Sequence, residues 1–174
     1  MSPSQGVFTI GHSTRSVQEF IALLSAHHIE LVVDVRTVPR SRRNPQFNRE
    51  TLPQSLQVAG IGYEHDAGLG GFRRPSPQST NTGWRNASFR GYADYMQTAA
   101  FAAGVERVVK HAHHTRLAVM CAEAVPWRCH RSLIADALVA RGIPVEEIIS
   151  ATRTQPHVMT SFAHLEGTTI TYPG

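Results

Sequence analysis

Short apolar runs along the chain alternate with segments whose apolar residues recur every three or four positions, the signature of strands and helices taken in turn. Val7 to Ile10 predicts a first strand, ending at Gly11-His12-Ser13. Ser13 or Thr14 is placed to cap a helix whose apolar face is Val17, Phe20, Ile21, Leu23 and Leu24. Ile29 to Val35 predicts a second strand, a helix follows from Asn48 or Thr51 to Val58, and Gly60 to His65 gives a turn and third strand. Tyr92 to Lys110 reads as one helix with Tyr95, Met96, Ala99, Ala102, Val105 and Val108 inward. It leads into a fourth strand at Leu117 to Met120, a helix from Cys129 to Arg141 closed by Gly142, and a last strand at Val145 to Ile148. Connections this short imply an α/β fold built on a mostly parallel sheet.

No linker or composition break divides the 174 residues, so one domain spanning 1–174 is expected. Two segments depart from the pattern. From Gly68 to Gly91 glycine, proline, serine, asparagine and arginine dominate, with Phe72, Trp84 and Phe89 interspersed; a flap over a site is expected here, bringing Arg73, Arg74 or Arg85 to a ligand. The tail from Ala151 to Gly174 is expected to be irregular, with one strand at Thr168 to Tyr172. The start, MSPSQG, shows no basic-then-apolar pattern and no apolar stretch is long enough to span a bilayer, so a cytoplasmic location without membrane contact is expected.

Charge sharpens the functional reading. The formal net charge of +4 is modest, but Arg36, Arg40, Arg42, Arg43 and Arg49 crowd one stretch. Planar guanidinium groups suit bidentate recognition of phosphate or carboxylate, so an anionic partner is expected; a solvated basic loop is the plain alternative. Three strand ends carry polar groups: Gly11-His12-Ser13, Asp34-Val35-Arg36 and Cys121-Ala122-Glu123. In a parallel sheet these ends share one edge, where they would meet Cys129-His130-Arg131 at a helix start.

Cys121 is the expected nucleophile, with a helix N-terminus, Arg128 and Arg131 favouring its thiolate; the alternative is a small residue closing a strand. Glu123 is expected as general acid or base and His12 as a proton carrier. Asp34 is expected to orient Arg40 or Arg42 rather than Arg36. With only two cysteines, Cys121 and Cys129 are free thiols, a redox pair or ligands. Cys121, Cys129, His130, His12 and Asp34 include zinc-type ligands, but their spacing is not that of a ribbon or finger, and no cofactor is expected. His111, His113 and His114 are read as a solvated helix end.

GHSTRS, VDVRTVPRSRRNPQFN, the Leu69-Gly70-Gly71 turn, GYADYM and above all CAEAVPWRCHR resemble the bacterial family catalogued as domain of unknown function 488, from about Phe8 to Ile149. The resemblance implies a three-layer α/β fold and an intracellular location, and assigns no reaction. A fainter likeness is to rhodanese-like domains, which also place aspartate-valine-arginine at an early strand end and an active cysteine at a later one. Here the loop from Cys121 to Arg128 is longer, contains Pro126 and Trp127, and lacks the glycines of such anion cradles.

The reading that combines these features is a hydrolase or group transferase acting on a phosphate-bearing substrate such as a nucleotide or nucleic-acid end. Cys121, Glu123 and His12 would do the chemistry, and Asp34, Arg36, Arg40, Arg42, Arg128, Cys129, His130 and Arg131 would hold the substrate. Two alternatives remain: a non-catalytic module holding single-stranded nucleic acid on Trp84, Phe89 and Tyr92, and a cysteine-based redox or metal sensor. The expected partner is a small anion or nucleic acid.

Overall fold

The computed structural model describes residues 6–174; the first five residues of the amino-terminal stretch read above lie outside them. Five parallel strands, β1 (Val7–Gly11), β2 (Leu31–Asp34), β3 (Gly62–His65), β4 (Leu117–Cys121) and β5 (Val145–Ile148), stand in the order β3-β2-β4-β1-β5. A sixth, β6 (Thr154–Pro156), adds antiparallel to β5. Helices cover both faces, so the fold is the expected three-layer α/β single domain.

Alternation along the strands divides the core in two. Phe8, Ile10, Val32, Ala118 and Met120 face α1 (Val17–Ala26) and α2 (Leu52–Val58), packing against Phe20, Leu24, Leu52 and Leu56. Val7, Val33, Leu117, Val119 and Val145 face the other layer: α3 (Ala87–Tyr95), α4 (Ala99–Ala112) and α5 (Arg131–Ala140). β4, at the centre, is buried along its whole length.

This arrangement decides where a site can form. β1 and β2 flank β4 and send their chains to α1 and α2 on one face, whereas β4 sends its chain to α5 on the other. The loops leaving neighbouring strand ends therefore diverge, and a crevice opens at the carboxyl end of β4.

Several local expectations are revised. Ser16, not Ser13 or Thr14, caps α1, with Glu19 completing a reciprocal capping box; Ser13 adopts a left-handed turn at φ 52°. The helix expected over Tyr92 to Lys110 is two helices, because Thr98 turns extended and caps α4. The first of them begins at Ala87, capped by Asn86, inside the segment expected to lack regular structure. The tail holds β6 and a hairpin of β7 (His164–Glu166) and β8 (Thr169–Thr171). Of the three histidines at the end of α4, His111 pairs with Glu64 at 2.6 Å. Among the described residues no helix is long and apolar enough to cross a membrane.

Candidate functional site

A cavity of about 960 Å³ opens at the divergence point, with His12, Arg36, Cys121, Glu123, Cys129 and His130 on its lining. Gly11 makes room for the loop that follows β4: a side chain there would collide with the Glu123 carbonyl. Gly71 does the same for the His130 ring, which a β-carbon would approach to 2.7 Å.

On the β1 side, the His12 ring stacks on Phe47 at 4.3 Å, and Phe47 rests edge-on against Phe20. His12 Nδ1 lies 2.8 Å from the Ser13 carbonyl, so it carries the hydrogen and Nε2 keeps its lone pair. Burial, aided by the positive charge of Arg36, lowers the His12 pKa to about 4, leaving the ring neutral at pH 7.

On the β2 side, Asp34 is fully buried and holds Arg36 by two bonds, Nε to Oδ1 at 2.9 Å and Nη2 to Oδ2 at 2.7 Å. Arg36 Nη2 also donates to the Phe47 carbonyl at 2.7 Å, and Nη1 lies 3.4 Å from His12 Nε2. The Tyr63 hydroxyl donates to Asp34; its pKa is raised by burial and by that carboxylate, so it stays protonated. Asp34 thus orients Arg36, not Arg40 or Arg42. Residues two apart on an extended chain share a face, and the Arg36 side chain folds back over the strand end.

Two sulfurs form the floor. Cys121 and Cys129, left open as thiols, redox pair or ligands, stand with their sulfurs against one another and are paired as a disulfide here. Beneath them Arg131, fully buried, donates through Nη1 to Cys121 Sγ at 2.7 Å and to the Glu123 carbonyl. Its Nη2 donates to the Ala124 carbonyl at 2.9 Å and to Glu147 Oε1 at 2.6 Å. Glu147, on β5, also accepts the Thr9 hydroxyl. Beside the pair, His130 Nε2 lies 2.9 Å from the Val35 carbonyl, which places the hydrogen there and leaves the Nδ1 lone pair 3.6 Å from Cys129 Sγ. Burial, with Arg131 nearby, lowers the His130 pKa to about 4.

The rim is cationic. Arg40, Arg73, Arg74 and Arg128 join Arg36 on the lining, against Glu123 alone among carboxylates. Arg40 is 72% exposed and only loosely paired with Glu50 at 3.5 Å. Arg73 is committed, its guanidinium lying 3.6 Å over the Tyr95 ring. Phe72 stands on the same lining with 83% of its surface exposed.

Of the residues expected to form the site, eight line this one cavity: His12, Arg36, Arg40, Cys121, Glu123, Arg128, Cys129 and His130. Asp34 and Arg131 stand behind the wall with no exposed surface, so neither can touch a substrate directly, and Arg42 lies on an exposed stretch outside the lining. The aromatics expected as a nucleic-acid platform are packed. Trp84 sits among Phe89, Phe162 and Tyr172, and Tyr92 is fully buried. The segment 68–91 is tied at several points: Asp94 accepts from Ser76 N, Ser79 Oγ and Asn81 Nδ2, and Asn81 Oδ1 accepts from Tyr172 N at 2.9 Å. Sequence reasoning missed Glu147 and Tyr63. The signal for the first was an acidic pair inside the apolar run of β5. Among the described residues no group of three or more His, Cys, Asp or Glu side chains is arranged to hold a metal.

A family model, the domain of unknown function DUF488, matches residues 16–138, from the cap of α1 to most of α5. The chain belongs to that family. The DUF488 match takes in Asp34, Arg36, both cysteines and the arginine-rich rim, so the cavity described above is built almost entirely from the matched region. No curated protein and no solved structure matches the chain.

Proposed function

We propose that this DUF488 chain is an enzyme, a hydrolase or group transferase, acting on a phosphate-bearing substrate such as a nucleotide or nucleic-acid end. The observation that carries the reading is the lining charge: five arginines face one carboxylate in a cavity whose floor is sulfur. Arg36, fixed by Asp34, and the freer Arg40 and Arg128 would grip phosphate oxygens. Exposed Phe72 offers a face on which a base can stack.

In the reduced protein Cys121 would be the nucleophile, since a guanidinium 2.7 Å from its sulfur favours the thiolate. The thiolate displaces the leaving group to give a covalent adduct, which water or an acceptor then resolves. Neutral His12 and Glu123, both on the lining, would accept the proton of that second nucleophile. Asp34 and Arg131 act as positioning residues, through Arg36 and through Cys121 respectively. The burial of Tyr92 and the packing of Trp84 among Phe89, Phe162 and Tyr172 take support from the non-catalytic module, although Phe89 stays on the lining.

The test is turnover by the reduced full chain of a panel of nucleotides and of oligonucleotides phosphorylated at either end. Wild type is expected to convert at least one class. Cys121→Ser should lose about a hundredfold or more in kcat, and Arg128→Gln should raise KM by about tenfold. Saturable binding without conversion of any member would favour the binding module.

A further inference from the structure

We infer that the same pocket carries out thiol–disulfide exchange with an anionic low-molecular-weight thiol, Cys121 and Cys129 cycling between disulfide and dithiol. This goes beyond the phosphate reading and stands without it. Both cysteines are on the cavity lining, Cys129 6% and Cys121 2% exposed, so a soluble thiol entering the cavity meets Cys129 first. The bridge is also not what holds the loop, because Arg131 already binds the carbonyls of Glu123 and Ala124 within it.

The two sulfurs have different neighbours, and the difference assigns their roles. Cys121 Sγ takes the charged Arg131 guanidinium at 2.7 Å whereas Cys129 Sγ takes only that residue's backbone N–H at 3.5 Å, so Cys121 is the better leaving thiolate. Cys129 is the more exposed, 6% against 2%, and faces the unprotonated Nδ1 of His130. An incoming thiolate therefore attacks Cys129 Sγ, the bridge breaks, and its electron pair leaves on Cys121 beside Arg131. The product is a mixed disulfide on Cys129. A second thiolate attacks the sulfur of the bound thiol, releasing the small disulfide and the Cys129 thiolate; the two protons shed by the incoming thiols pass through solvent to Cys121 and Cys129. In sum two thiols are oxidised to one disulfide, and the protein pair gains two electrons and two protons.

The rim selects the partner. Arg40, Arg74 and Arg128 surround the entrance, so a thiol carrying carboxylates is concentrated there and one carrying an ammonium is repelled. The oxidised full chain is to be reduced with mercaptosuccinate, 2-mercaptoethanol or cysteamine, each rate divided by that thiol's rate on neutral hydroxyethyl disulfide. Mercaptosuccinate should be favoured over cysteamine by about tenfold or more. The preference should shrink towards parity in Arg40→Gln/Arg128→Gln and in high salt. Cys121→Ser, which leaves Cys129 free, should accumulate a mixed disulfide with oxidised mercaptosuccinate, read by mass. Equal normalised rates for the three thiols, or a pair that none of them opens, would overturn the inference. Exchange with no turnover of any phosphate compound would sustain it while removing the phosphate reading.

Discussion

Replacing Arg131 by methionine is expected to lower the unfolding free energy by about 3–5 kcal/mol, the usual cost of removing one member of a buried ion pair. The guanidinium is fully buried and holds Glu147, which is itself 7% exposed. Without it that carboxylate keeps the Thr9 hydroxyl as its only remaining described side-chain donor, and the carbonyls of Glu123 and Ala124 lose theirs. The uncompensated buried charge opposes folding. Urea denaturation of the variant gives the number. Arg131→Met/Glu147→Leu should recover part of the loss, because no charge is then stranded. A single-variant loss below about 1 kcal/mol would mean that Glu147 reaches water, and that Arg131 is not the clamp under the cysteine loop.

Acid should destabilise the fold well before general carboxylate protonation. His12 and His130 titrate near 4 in the folded chain, below the ordinary 6.5, because each is buried beside an arginine. The unfolded chain therefore binds more protons between those values, and stability falls as pH is lowered from 6.5 towards 4. It is fully present above 6.5. Each ring would contribute on the order of 3 kcal/mol across that window. A thermal melt series over the range should show the decline, and His12→Gln and His130→Gln should each flatten it. A melting temperature constant from pH 7 to 4.5 would show both rings open to solvent.

The α/β layering and the mostly parallel sheet were legible because period-two and period-3.6 patterns are local, and strand-end polarity marks where chains leave a sheet, the edge at which the cavity opens. What was not legible depended on distant partners. Arg131 follows Cys129 and His130, so the sequence groups all three as substrate contacts. The first turn of α5 instead points Arg131 beneath the sheet edge to Glu147, sixteen residues on. Asp34 found Arg36 because residues two apart on an extended chain share a face, so the nearer arginine takes the carboxylate before Arg40 or Arg42 can. The segment 68–91 and the tail are fixed by Asn81 with Tyr172, and by Asp136 with His157 and Tyr172, contacts across long separations. No periodicity encodes such contacts. Arg40 was found because clustered arginines are visible as composition, and Arg128 because it stands in the loop that leaves β4, whereas Arg42 shares the cluster and misses the cavity.

Calorimetric titration of the reduced full chain with a nucleoside diphosphate, and with the same nucleoside lacking phosphate, tests the central claim most directly. The expected result is saturable binding of the diphosphate alone, weakened by salt and by about tenfold or more in each of Arg40→Gln and Arg128→Gln. Equal binding of the two compounds, or diphosphate binding unchanged in both variants, would contradict an arginine-lined phosphate site at the carboxyl end of β4.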